Sequence, residues 1–161
     1  MIQKMKTYKN KILILAGLFL FVLMIAAYSY IFYHPPLLWN GHSFNEDNKK
    51  VILNIKNNGI RNVEIIDVYV NGDKVTKTVE LGISYSGKVV QLKDEPGYDI
   101  VFVSNFKENV IHPKADNIYE AMEKNEPTDY GIRMANNKPI ETITIKYKYL
   151  GMTWEFIKTL S

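Results

Sequence analysis

Among the side chains that commonly do chemistry, this chain has three histidines and no cysteine. His34 and His42 fall early, and His112 stands before Pro113 with Asp116 nearby. No HxH or HxxxH spacing occurs, and a zinc site built from thiolates is impossible. A nucleophile needs a base and a third group that orients it, and spacing supplies neither. Each histidine therefore reads as a solvated loop residue. The carboxylates form two clusters. Asp116, Glu120 and Glu123 would line one face of a helix, where several oxygens could attract calcium. The same acids near a helix N-terminus are mildly stabilising without an ion, and their spacing is unlike a calcium loop. Asp94, Glu95 and Asp99 surround Pro96-Gly97 and read as a turn rather than as an acid–base pair. Gly82, Gly87, Gly97 and Gly131 fall singly, as turn residues, with no phosphate-cradling loop. No catalytic residue, metal site or cofactor is expected, and the chain is not expected to be an enzyme.

The elements that would position any site begin with "KILILAGLFLFVLMIAAYSYIFYHPP", which has no charge between Lys11 and His34. Residues 12–33 would span about 33 Å as a helix, enough for a hydrocarbon core of about 30 Å. A single span in lipid must be helical, because its backbone has no other way to satisfy its hydrogen bonds. Tyr28, Tyr30, Phe32, Tyr33 and Trp39 crowd the far end as an interfacial aromatic belt would. Cleavage as a signal peptide is the alternative, with Ile25-Ala26-Ala27 as a poor cut site and an apolar run longer than a signal core. The expectation is an uncleaved anchor. Lys4, Lys6, Lys9 and Lys11 precede it and no acid occurs before Glu46, so residues 1–11 form a cytoplasmic basic arm and the remaining chain faces outward. Cleavage would instead give a secreted protein.

The formal net charge is +3, with twenty Lys and Arg against seventeen Asp and Glu. Four of the twenty lie in the arm, so from residue 34 onward sixteen cations face seventeen acids, a net of −1. The basic excess belongs to the topology signal, which excludes a nucleic-acid surface. Absence of disulfides leaves an exported domain dependent on its core.

Residues 34–49 read as a stalk, with Leu37, Leu38 and Trp39 still at the membrane interface. From Val51 the hydrophobic period becomes two. Val51, Leu53 and Ile55 share one face; Ile66, Val68 and Val70 share another. Asn71-Gly72 predicts a tight hairpin turn, followed by Val75, Val79 and Leu81 alternating with Thr76, Thr78 and Glu80. Further strands are predicted at Lys88–Leu92, Ile100–Val103 and Tyr130–Met134. At the C-terminus Ile143, Ile145, Tyr147 and Tyr149 alternate with polar residues, turn at Leu150-Gly151, and meet Met152, Trp154 and Phe156 as the core side of a final hairpin. The irregular stretch 104–139 contains a short helix capped at Asp116 or Asn117 and running to Lys124, with Ile118, Tyr119 and Met122 inward.

Short strands, frequent turns and one short helix predict an all-β, antiparallel β-sandwich over residues 50–161, preceded by the single transmembrane helix. "NNGIRNVEIIDVYVNG" and "ETITIKYKYLGMTWEFI" resemble the strand pairs of immunoglobulin-like domains on small membrane-tethered proteins of Gram-positive bacteria. The resemblance implies an immunoglobulin-like fold and an envelope-facing interaction module, and it carries no functional residues. The expected partners are the bilayer, through residues 12–33, and a protein or envelope component, with no nucleic acid and no small-molecule cofactor. Aromatics and arginine supply most binding hot spots, which directs attention to Tyr119, Tyr130 and Arg133 on the irregular stretch. The alternatives are a small accessory subunit of a membrane complex and an envelope hydrolase.

Overall fold

The computed structural model describes residues 2–75, 79–93, 97 and 99–160, with side chains from residue 11 onward. The chain divides after Pro35 into two compact units. The first is helix α1, Ile2–Tyr33, which carries the expected arm and span as one continuous helix. Its stretch Lys11–Tyr33 has the length and composition of a membrane span, properties that a signal sequence shares. Apolar side chains are exposed all round it, as the missing polar face in the sequence requires.

Among the described residues the second unit holds ten strands: β1 Leu37–Phe44, β2 Lys50–Asn57, β3 Val63–Val70, β4 Asp73–Val75, β5 Val79–Ser84, β6 Ile100–Val103, β7 Val110–Ile111, β8 Asp129–Ala135, β9 Thr142–Tyr149 and β10 Met152–Thr159. They form two antiparallel sheets in a sandwich-like arrangement. One runs β1-β2-β8-β5-β6; the other runs β10-β9-β3-β4, with β7 paired beside the start of β3. Inner faces alternate as the sequence period demands: Val51, Leu53 and Ile55 on β2, and Ile143, Ile145, Tyr147 and Tyr149 on β9, are all buried. The β9–β10 hairpin closes through Leu150 and Gly151 and the β3–β4 hairpin through Asn71 and Gly72, all four at positive φ.

Several expectations are corrected. Residues 34–49 are not a stalk: Leu37–Phe44 pair with β2, so the domain begins at Pro36 rather than at residue 50. Leu37 is 1% exposed and belongs to the core. On β3 a register shift between Ile65 and Asp67 places Ile65, rather than Ile66, inward with Val68 and Val70. Lys88–Leu92 forms no strand. Helix α2, Ile118–Glu123, is capped by the Asn117 side chain, which accepts the N–H groups of Tyr119 and Glu120. Its buried residue is Ala121, while Tyr119 points outward. Thr76, Thr78 and the acids Asp94 and Glu95 lie outside the described residues.

Asn57, at the end of β2, is 1% exposed although polar. Its Nδ2 donates to the carbonyls of Arg61 and Ile111, both at 2.8 Å, and its Oδ1 accepts the Gly59 N–H. A buried amide must find partners, and here it fastens β2, the following turn and β7 together.

Candidate functional site

The first sheet is covered on both faces, and the reason lies in two glycines. Gly82 on β5 and Gly131 on β8 are register partners on the face turned away from the other sheet. A Cβ at Gly82 would stand 2.8 Å from Val90 Cγ1 and 2.9 Å from the Phe102 ring; one at Gly131 would stand 3.0 Å from Val90 Cβ. Val90 is fully buried there, with Ile52, Ile100 and Phe102 packed around it. Both glycines are thus strand residues that admit a neighbouring segment, not the turn residues expected. Segment 85–93 is fastened further along by the Leu92 N–H, which donates to Ser43 Oγ at 3.3 Å.

Beside this small outer core lies a cleft of about 420 Å³ lined by Lys50, Glu80, Leu92, Ser104, Arg133, Met134 and Ala135. Glu80 and Arg133 are cross-strand register partners, so β5 and β8 deliver them to the same face. Arg133 Nη2 and Nε both approach Glu80 Oε2, at 2.7 and 2.8 Å. The guanidinium also lies 3.6 Å over the Phe102 ring. Its plane is therefore held on one side by an aromatic face and along its edge by a carboxylate, which fixes a normally mobile side chain. Lys50 adds a second cation, so the described lining carries two positive charges and one negative. Such a mouth suits an acidic or carboxylate-bearing group.

The three residues singled out from the sequence do not come together. Arg133 lines the cleft. Tyr130, three residues earlier on β8, projects from the opposite face and is 4% exposed. Its hydroxyl accepts the His112 backbone N–H at 3.1 Å, and burial pushes its pKa up to about 12 against that hydrogen bond. It fills the core. Tyr119, 80% exposed on α2, is at the surface. His34 Nδ1 meets the Tyr30 carbonyl at 2.9 Å, and His42 stacks against Phe44 on β1 with its Nδ1 buried and unpartnered among the described residues. Glu120 pairs with Lys124 at 2.6 Å. Among the described residues no group of three His, Asp or Glu could hold a metal ion.

Lys50, Glu80, Leu92 and Phe102 escaped sequence reasoning. Glu80 read only as the polar side of a strand. The available signal was the glycine inside each of two otherwise β-forming runs, which marks a close approach. No protein-family model, no curated protein and no solved structure matches this chain.

Proposed function

We propose that the protein is a single-pass membrane protein, N-terminus cytoplasmic, whose outer domain is an immunoglobulin-like module that binds a protein or envelope component at the Arg133 cleft. The observation that carries this reading is the Arg133 guanidinium pinned between Glu80 and Phe102 at the mouth of that cleft. Arginine is among the residue types that most often carry the energy of a binding surface. With the Glu80 carboxylate engaged by Arg133, the cleft is arranged for recognition rather than for proton transfer.

The immunoglobulin-like assignment is supported by strand order. With the insertion 85–128 set aside, β1-β2-β8-β5 corresponds to the order A-B-E-D and β10-β9-β3-β4 to G-F-C-C′. The anchor is supported by a 23-residue helical stretch, Lys11–Tyr33, that carries no charge after Lys11 and follows a lysine-rich arm. Anchoring confines the domain at the membrane and raises its effective concentration towards a neighbour.

The test is photocross-linking in intact cells from position Ser104, in the native background and with Arg133→Ala. An adduct that depends on Arg133, with the domain open to externally added protease, supports the proposal. A protected domain, or adducts unchanged by Arg133→Ala, would overturn it.

A further inference from the structure

The end of the domain where the chain enters it has an unusual turn. Pro36 is the first residue of the domain, and its carbonyl accepts the Asn58 N–H at 2.7 Å. Gly59 lies against Pro36 so closely that a Cβ there would stand 2.8 Å from the proline Cβ. The Gly59 N–H is bonded to Asn57 Oδ1 at 2.9 Å, and the Ile60 N–H to the Tyr149 hydroxyl at 3.1 Å. The Arg61 carbonyl accepts from Asn57 Nδ2. Residues 58–60 thus have every N–H satisfied within the protein, and the turn needs little water for its backbone. Yet Ile60 at its tip is 82% exposed, and Leu150, in the hairpin turn that follows Tyr149, is 43% exposed.

A lone exposed apolar side chain is ordinary. One of these two sits on a self-satisfied turn clamped to the residue where the chain enters, and the other follows the tyrosine whose hydroxyl closes that turn, an arrangement suited to a poorly hydrated interface. Only His34 and Pro35 separate Tyr33 from Pro36, so three steps along the chain reach about 10 Å fully extended. We infer that Ile60 and Leu150 dip into the headgroup layer of the bilayer that holds α1. Nearby, Arg61, Lys114 and Lys148 stand among the acids Glu64 and Asp116, so the apolar tips rather than net charge would carry the contact.

This inference rests on the anchor proposed above, and the test separates the two. The chain has no cysteine, so single sites can be labelled in the full-length protein. Ile60→Cys, Leu150→Cys, Phe19→Cys and Glu46→Cys would each carry an environment-sensitive dye, in phosphatidylcholine–phosphatidylglycerol vesicles containing spin-labelled lipid. Glu46 follows β1 at the end opposite Leu37. The expected result is a blue shift and lipid quenching at positions 60, 150 and 19, and none at 46, with quenching at 150 lost when Ile60→Asp is added. Quenching at 19 alone leaves the anchor standing and overturns the contact. Quenching at 46 as well overturns it, since the contact would not belong to this end. No quenching at 19 removes the anchor and the contact together.

Discussion

Gly82 and Gly131 face each other across the β5–β8 pair, and Val90 occupies the space that their absent side chains leave. A methyl group at either position has to displace a fully buried, β-branched neighbour. Gly82→Ala or Gly131→Ala should each lower stability by about 1–3 kcal/mol, the usual cost of overpacking. Urea unfolding followed by tryptophan fluorescence measures it, and an unchanged midpoint would mean that segment 85–93 is not packed as described.

Asn57→Ala should cost about 2–4 kcal/mol, because it strands two carbonyls and an N–H that the side chain now satisfies. Thermal melts of the two proteins side by side provide the comparison. Loss of less than a few tenths of that range would show that water replaces the amide freely.

A double-mutant cycle over Glu80→Gln and Arg133→Ala should give a coupling of about 1 kcal/mol. Partial exposure of both side chains keeps it modest, and it should shrink as salt is raised. Arg133→Ala alone should additionally uncover the Phe102 ring.

Two aspartates pull the acid limb of stability in opposite directions. Lys74, assisted by Lys107, holds the Asp67 carboxyl below its usual pKa against the opposing effect of burial. Its contribution is present above the unfolded value and is lost as pH falls through the depressed folded one. Burial raises Asp129, with Lys56 opposing. Its contribution is present below the unfolded value and is lost as pH rises through the raised folded one. Melting temperatures from about pH 7 to about pH 2 should therefore show the penalty of Asp67→Asn fading on acidification. Across the same range, wild type should gain on Asp129→Asn. Parallel profiles for the three proteins would refute both assignments.

Tyr119→Ala should leave stability within about 0.5 kcal/mol, as expected of an exposed side chain, whereas Tyr130→Phe should cost about 1 kcal/mol through the lost His112 hydrogen bond. Equal effects would reverse the placement of the two tyrosines.

Much of this architecture was legible where one face of a strand is polar. The β9–β10 hairpin and the Asn71-Gly72 turn follow from period-two alternation and turn chemistry, and capping chemistry narrows the helix cap to Asp116 or Asn117, of which Asn117 is the one used. Legibility failed where tertiary packing overrides local pattern. The β3 irregularity moves Ile65 inward in place of Ile66, an effect that alternation cannot foresee. Leu37–Phe44 carries Asn40, Gly41 and His42, which read as turn-like, yet a register shift between Trp39 and His42 lets the segment pair with β2 along most of its length. The cleft was half legible: arginine drew attention by its chemistry, while Glu80 and Phe102 become its neighbours only through long-range strand pairing.

The segment 85–93 leads out of β5 on the way to β6 and also roofs Ile52 and Ile100 through Val90. A connection that doubles as a wall cannot be trimmed like an ordinary surface excursion. Shortening it would bare the apolar side chains of Ile52, Ile100 and Phe102 together, and the shortened protein would be prone to clumping with its own copies.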